Sequence, residues 1–139
     1  MAHTDYSGTP LYKKLGIKEG SVVVPIGAPE RFDALLGDLP SGAKLSPRAK
    51  QADVIVVFSI RLSDLAKRFA AAKPRLVPDG RLWMAYPKKT SSIETDITFE
   101  PAQTIGLATG LVDNKSIAVD EDWSGVQFVY RLTDRPKAG

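Results

Sequence analysis

The hydrophobic positions of this chain follow two rhythms. Ser21–Ile26 (SVVVPI), Asp53–Phe58 (DVIVVF) and Arg81–Tyr86 (RLWMAY) are apolar runs of strand length. Unbroken rather than alternating apolarity is the pattern of a strand covered on both faces, as in a parallel sheet. Pro25 cannot donate to a ladder, so it is expected near the end of the first strand or at a bulge. From Leu62 the period changes. Leu62, Leu65, Ala66 and Phe69 mark one helical face, and Arg61, Asp64, Lys67 and Arg68 the other. Ser59 or Ser63 is available to cap that helix and Pro74 to stop it. A Leu76–Gly80 turn then feeds the third run.

The remaining elements are weaker. Thr9 as N-cap, Pro10 at the first helical position and Gly16 at C′ frame a short helix, with Leu11 and Leu15 on one edge and Lys13–Lys14 facing water. Glu30–Leu36 reads as a helix with Phe32, Leu35 and Leu36 inward, and Ala43–Leu45 as a short strand near an edge. Thr98 caps a helix to about Thr109, with Ala102 and Ile105 inward and Gly110 as its stop. Val112–Val119 and Gly125–Leu132, separated by the polar turn at Asp120–Trp123, form an antiparallel hairpin. Residues 1–8 and 133–139 read as loose tails around one α/β domain, 9–132.

Strands alternating with helices and closing on a hairpin predict a three-layer, Rossmann-like α/β fold. Its sheet is mostly parallel, with a C-terminal antiparallel hairpin. This arrangement resembles the class I S-adenosylmethionine-dependent methyltransferases. Leu76-Val77-Pro78-Asp79-Gly80-Arg81-Leu82 is similar to the turn those proteins often carry before their fifth strand. A second resemblance spans nearly the whole chain. Tyr6–Leu11, Lys14–Ile17, Tyr86–Lys89, Gly110–Asp113, and Val119-Asp120 with Trp123–Gly125 resemble a family of small bacterial proteins known as a domain of unknown function. It implies a bacterial cytoplasmic protein and no particular activity.

Composition removes several chemistries. The 139 residues include no cysteine and one histidine, His3 in the N-terminal tail, so thiolate chemistry and Ser-His or Cys-His triads have no members. No apolar run reaches the ~20 residues of a membrane helix and no signal peptide opens the chain, so a cytoplasmic address is expected. A net charge of +3 is too small to imply nucleic acid. Asp120, Glu121 and Asp122 read as a solvated turn rather than a cation site. Trp83 reads as core, with Tyr86 on the opposite face, and Trp123 as an aromatic covering the sheet edge.

In an open parallel sheet a ligand sits beyond the carboxyl ends of the strands, where strand order reverses. The candidate ligand-binding residues there are Gly27, Ser59, Arg61, Lys88 and Lys89, with Gly27 and Ser59 facing each other across the reversal. Two lysines directly after a buried strand, with Thr90, Ser91 and Ser92 behind them, suit an anion. Arg61 at a helix start opposes the helix dipole, which favours an anion contact or ion pair. The resemblance to methyltransferases implies glycines after the first strand and an acid after the second. Only Gly27 meets the first requirement, and Ser46-Pro47-Arg48 lacks the acid. S-adenosylmethionine therefore has a degenerate site, and no catalytic residue, cofactor or metal is assigned. The expected function is a non-catalytic methyltransferase-like module binding an unidentified protein partner or a small anionic ligand. A reduced methyltransferase is the alternative, and nonspecific nucleic-acid binding a weaker one. Homodimerisation through an open sheet edge is a further option.

Overall fold

The structure, a computed structural model, describes residues 9–136. His3 and the 1–8 tail lie outside the described residues, as do 137–139. The elements are α1 (Leu11–Leu15), β1 (Val22–Ile26), α2 (Phe32–Leu36), β2 (Lys44–Leu45), β3 (Ala52–Phe58), α3 (Leu62–Ala72), β4 (Leu76–Pro87), α4 (Phe99–Ala108), β5 (Val112–Ala118) and β6 (Trp123–Val129). One six-stranded sheet has the order β2-β1-β3-β4-β6-β5. Its first four strands are parallel, and β6 runs antiparallel to both β4 and β5.

The apolar runs become strands covered on both faces because helices pack on each side. Leu65 and Phe69 of α3 and Ala102 of α4 meet Ile55, Val57, Leu82, Met84 and Phe128 on one face. Leu11 and Leu15 of α1 and Phe32 and Leu36 of α2 meet Val54, Val56, Phe58 and Trp83 on the other. Trp83 and Tyr86 thus lie on opposite faces, as their odd spacing requires. The buried Trp83 indole N–H donates to the carbonyl of Leu15 at 3.0 Å, which fixes the C-terminal end of α1 on the sheet. Gly106 lets α4 approach closely, since a β-carbon there would stand 2.2 Å from the Phe128 ring. Pro25 sits one residue from the end of β1, opposite Val56.

Four local expectations need correction. The Leu76–Gly80 turn belongs to a single long strand. Ala52 pairs with Leu76 and Val54 with Arg81, so Val77–Gly80 loops out of the ladder as an irregularity. Pro10, not Thr9, occupies the N-cap position of α1. Lys14 does not simply face water, because its ammonium donates to the Ala118 carbonyl. β6 begins at Trp123 rather than Gly125, because pairing with β4 extends to Pro87.

Candidate functional site

The strand order reverses between β1 and β3, as expected from the crossover pattern. Beyond the carboxyl ends of these strands lie the Gly27–Arg31 loop, the Ser59–Arg61 link to α3, the loop that leaves β4 at Lys88, and the β5–β6 turn. Lys88 N–H donates to the Asp122 carbonyl at 2.8 Å, so the last two loops are joined.

At the reversal itself, Gly27 has φ +67°, a left-handed conformation that glycine adopts without penalty. A β-carbon on it would stand 2.5 Å from Arg68 Nη1 and 3.0 Å from the Phe58 carbonyl oxygen. Arg68 reaches back from α3, and its Nη1 donates to that same oxygen at 2.6 Å. The buried Ser59 hydroxyl accepts a longer contact from Nη1 at 3.5 Å. Gly27 and Ser59 therefore do meet around the crevice, but a guanidinium stands between them. Helical periodicity places Arg68 on the polar face of α3. It says nothing of where a long, flexible side chain ends, and here the head finds a carbonyl. The one available signal was Gly27, a residue with no side chain to compete for that space.

Arg61, Lys88 and Lys89 line a separate cleft of about 570 Å³, together with Ser91, Ser92, Glu94, Thr95 and Asp96. The structure thus divides the five candidates between the plugged crevice and this open one. Among the described residues, no side-chain hydrogen bond or ion pair engages Arg61, Lys88 or Lys89. Asp96 is committed elsewhere: its Oδ1 accepts the Leu62 N–H at 2.8 Å and caps α3 from across the cleft. Thr95 donates its hydroxyl to the Ile60 carbonyl at 2.7 Å, strapping the same loop to the helix start. Neither Ser59 nor Ser63 caps α3, which corrects that expectation. A carboxylate in Asp96 also offsets the unfavourable placement of Arg61 at the positive end of the helix.

The acidic turn is structural. Asp120 Oδ1 accepts the N–H groups of Asp122 and Trp123 at 2.8 and 2.9 Å. Arg31 pairs with Asp120 at 2.6 Å and with Asp122 at 3.2 Å. The hydrogen bond to Asp122, followed by the charge of Asp120, holds the Arg31 guanidinium above its ordinary pKa. Among the described residues, no three His, Cys, Asp or Glu side chains cluster to hold a metal. Trp123 packs edge-on against Phe58 with ring centres 5.2 Å apart, and so covers the sheet interior rather than its edge. Burial raises the Tyr86 pKa.

No protein-family model matches the sequence, and no curated protein matches it. Solved structures do resemble it. Aeropyrum pernix fibrillarin with natively bound S-adenosyl-L-methionine aligns at TM-score 0.58 and 17% identity, over 83% of this chain and 69% of that one. The Methanococcus jannaschii fibrillarin pre-rRNA processing protein aligns at 0.54 and 16%, over 92% and 76%. A SAM-dependent methyltransferase from Aquifex aeolicus aligns at 0.52 and 16%, over 85% and 86%. The fold is methyltransferase-like.

At these identities the likeness concerns the fold alone, so fit to the cofactor rests on this chain's residues. In a methyltransferase-like sheet the crevice at the reversal is where a cofactor approaches the loop after β1. Here Arg68 fills the space that Gly27 leaves. The segment after β2, Ser46-Pro47-Arg48, has no carboxylate for ribose hydroxyls. Asp53, the nearest acid in the following strand, is bonded to the Val22 N–H at 2.8 Å. These residues do not fit S-adenosylmethionine.

Proposed function

We propose that this chain is a non-catalytic methyltransferase-like module of the bacterial cytoplasm. It binds an anionic group, carried by a small ligand or a partner protein, in the cleft of Arg61, Lys88 and Lys89. The observation that carries the reading is the Arg68 guanidinium seated on the Phe58 carbonyl beside Gly27. A cation held there by a charge-assisted hydrogen bond must be displaced, and its acceptor left bare, before a cofactor can enter. What remains open at this end of the sheet is basic. Three cations that no side-chain hydrogen bond or ion pair engages among the described residues, beside the hydroxyls of Ser91 and Ser92, suit carboxylate or phosphate oxygens.

The test is an amide chemical-shift titration with inorganic pyrophosphate. Saturable shifts are expected at Lys88, Lys89 and Ser91–Thr95, and they are lost in Lys88→Ala/Lys89→Ala. Unchanged shifts at those amides in the double variant would overturn the site.

A further inference from the structure

A more basic concavity lies at the other end of the sheet, where the parallel strands begin. It has a volume of about 560 Å³ and is formed by α1, the Gly16–Glu19 segment leading into β1, Pro40, Arg81 and Lys115. Four cations, Lys13, Lys18, Arg81 and Lys115, surround it against one acid, Glu19. The cleft of Arg61, Lys88 and Lys89 has three cations against two acids. By charge, then, the stronger anion site is not at the carboxyl ends of the strands.

Its construction is specific. Gly16 closes α1 at φ +85°, and a β-carbon there would stand 2.3 Å from Arg81 Nε. The helix end and the guanidinium are therefore packed together, and a side chain at 16 would drive them apart. Arg81 Nη1 donates to Gln127 Oε1 at 3.1 Å, and the Gln127 amide donates to Asn114 Oδ1 at 2.8 Å. Gln127 is only 2% exposed, so this chain of bonds fixes the arginine from inside the sheet. Among the described residues the guanidinium bonds to an amide oxygen and pairs with no carboxylate. Lys115 donates to the Lys14 carbonyl at 3.2 Å, which holds its ammonium at the rim. Tyr12, half-buried, and the buried Ile17 add an apolar wall.

We propose that this pocket is a binding site for a phosphorylated small molecule. Its phosphate oxygens would bond to Arg81, Lys18 and Lys13, and its apolar part would rest on Tyr12, Ile17 and Pro40. A pre-positioned guanidinium matches the bidentate geometry of phosphate oxygens, and lysines complete the neutralisation as point charges. The volume lies within the range of small-ligand sites. A nucleic-acid strand carries the same phosphate chemistry, but four cations gathered around one concavity of about 560 Å³, rather than strung along a surface strip, suit a compact ester better than a continuous backbone.

The experiment is an amide-shift titration of the full chain with ADP, run in parallel with a single-stranded oligonucleotide. ADP is expected to shift Tyr12–Lys18 and Lys115 saturably. Lys13→Glu/Lys18→Glu, at two exposed positions, weakens this by about tenfold or more, since two charge-assisted contacts become repulsions. Arg81→Met, if it folds, abolishes it. Lys88→Ala/Lys89→Ala leaves these amides unaffected, which separates the pocket from the cleft at the other end. Absence of saturable shifts at Tyr12–Lys18 would overturn the proposal. So would equal weakening by the two lysine pairs, or tighter, steeply salt-dependent binding of the oligonucleotide.

Discussion

The guanidinium of Arg68 ends 2.5 Å from where a β-carbon on Gly27 would stand, so a helix side chain and a loop glycine are fitted to each other at the strand reversal. Gly27→Ala must therefore do two things: hold alanine at φ +67° and push Arg68 off the Phe58 carbonyl. The first costs roughly 1–2 kcal/mol and the second about 1.5–3 kcal/mol. In an Arg68→Ala background only the first remains. Urea unfolding of the four proteins in this cycle should give a coupling of about 1.5–3 kcal/mol. Strict additivity would show that the two residues do not compete for space.

Asp96 caps α3 from a loop 34 residues away, through the Leu62 N–H. Asp96→Ala is expected to cost about 1 kcal/mol, the usual loss for a cap. It should also speed amide exchange in the first turn of α3. Ser63→Ala, at the position a local pattern would favour, should change stability by less than about 0.5 kcal/mol. The reverse ranking in thermal unfolding would contradict the assignment.

These two contacts show where sequence reading stops. Continuous apolarity in Ser21–Ile26, Asp53–Phe58 and Arg81–Tyr86 specifies strands buried on both faces, and right-handed crossovers then order them. Hence the sheet and its reversal point were legible. So was the grouping of Arg61 with Lys88 and Lys89, because each stands directly beyond a strand's carboxyl end. Arg68 and Asp96 were not. Both act through side-chain ends meeting backbone 10 and 34 residues away, in a different element, which no local periodicity encodes. Arg81 was hidden for another reason. As the first residue of an apolar run it read as the start of a strand, whereas its strand extends back to Leu76 and its partner Gln127 lies 46 residues on.

The Asp120 carboxylate holds the β5–β6 turn through two N–H groups and is almost fully covered, with 9% of its side chain exposed. Asp120→Ala should cost about 1–3 kcal/mol, because buried donors lose their acceptor. Arg31 is half-exposed, and its ion pairs are screened by solvent, so Arg31→Ala should leave the unfolding midpoint close to that of the wild type. Equal losses from the two substitutions would contradict this division.

Tyr86 loses solvation on burial, which disfavours its phenolate and raises its pKa above the usual value of about 10. The folded state then favours the protonated form. The stability this adds at Tyr86 is complete below the unfolded pKa and is lost as pH rises through the folded one. In an absorbance titration Tyr86 should ionise above that value. Tyr86→Phe should remove part of the alkaline decline in stability. A transition at or below about 10 that disappears in Tyr86→Phe would contradict the burial argument.

Isothermal titration of the wild-type chain with S-adenosylhomocysteine decides whether Arg68 closes the crevice to the cofactor typical of this fold. The structure predicts no saturable heat, because the ligand would have to displace a charge-assisted hydrogen bond and would find no carboxylate in the Ser46-Pro47-Arg48 segment for its ribose. Stoichiometric binding with a Kd of about 10 μM or tighter would contradict that closure and favour the reduced-methyltransferase reading.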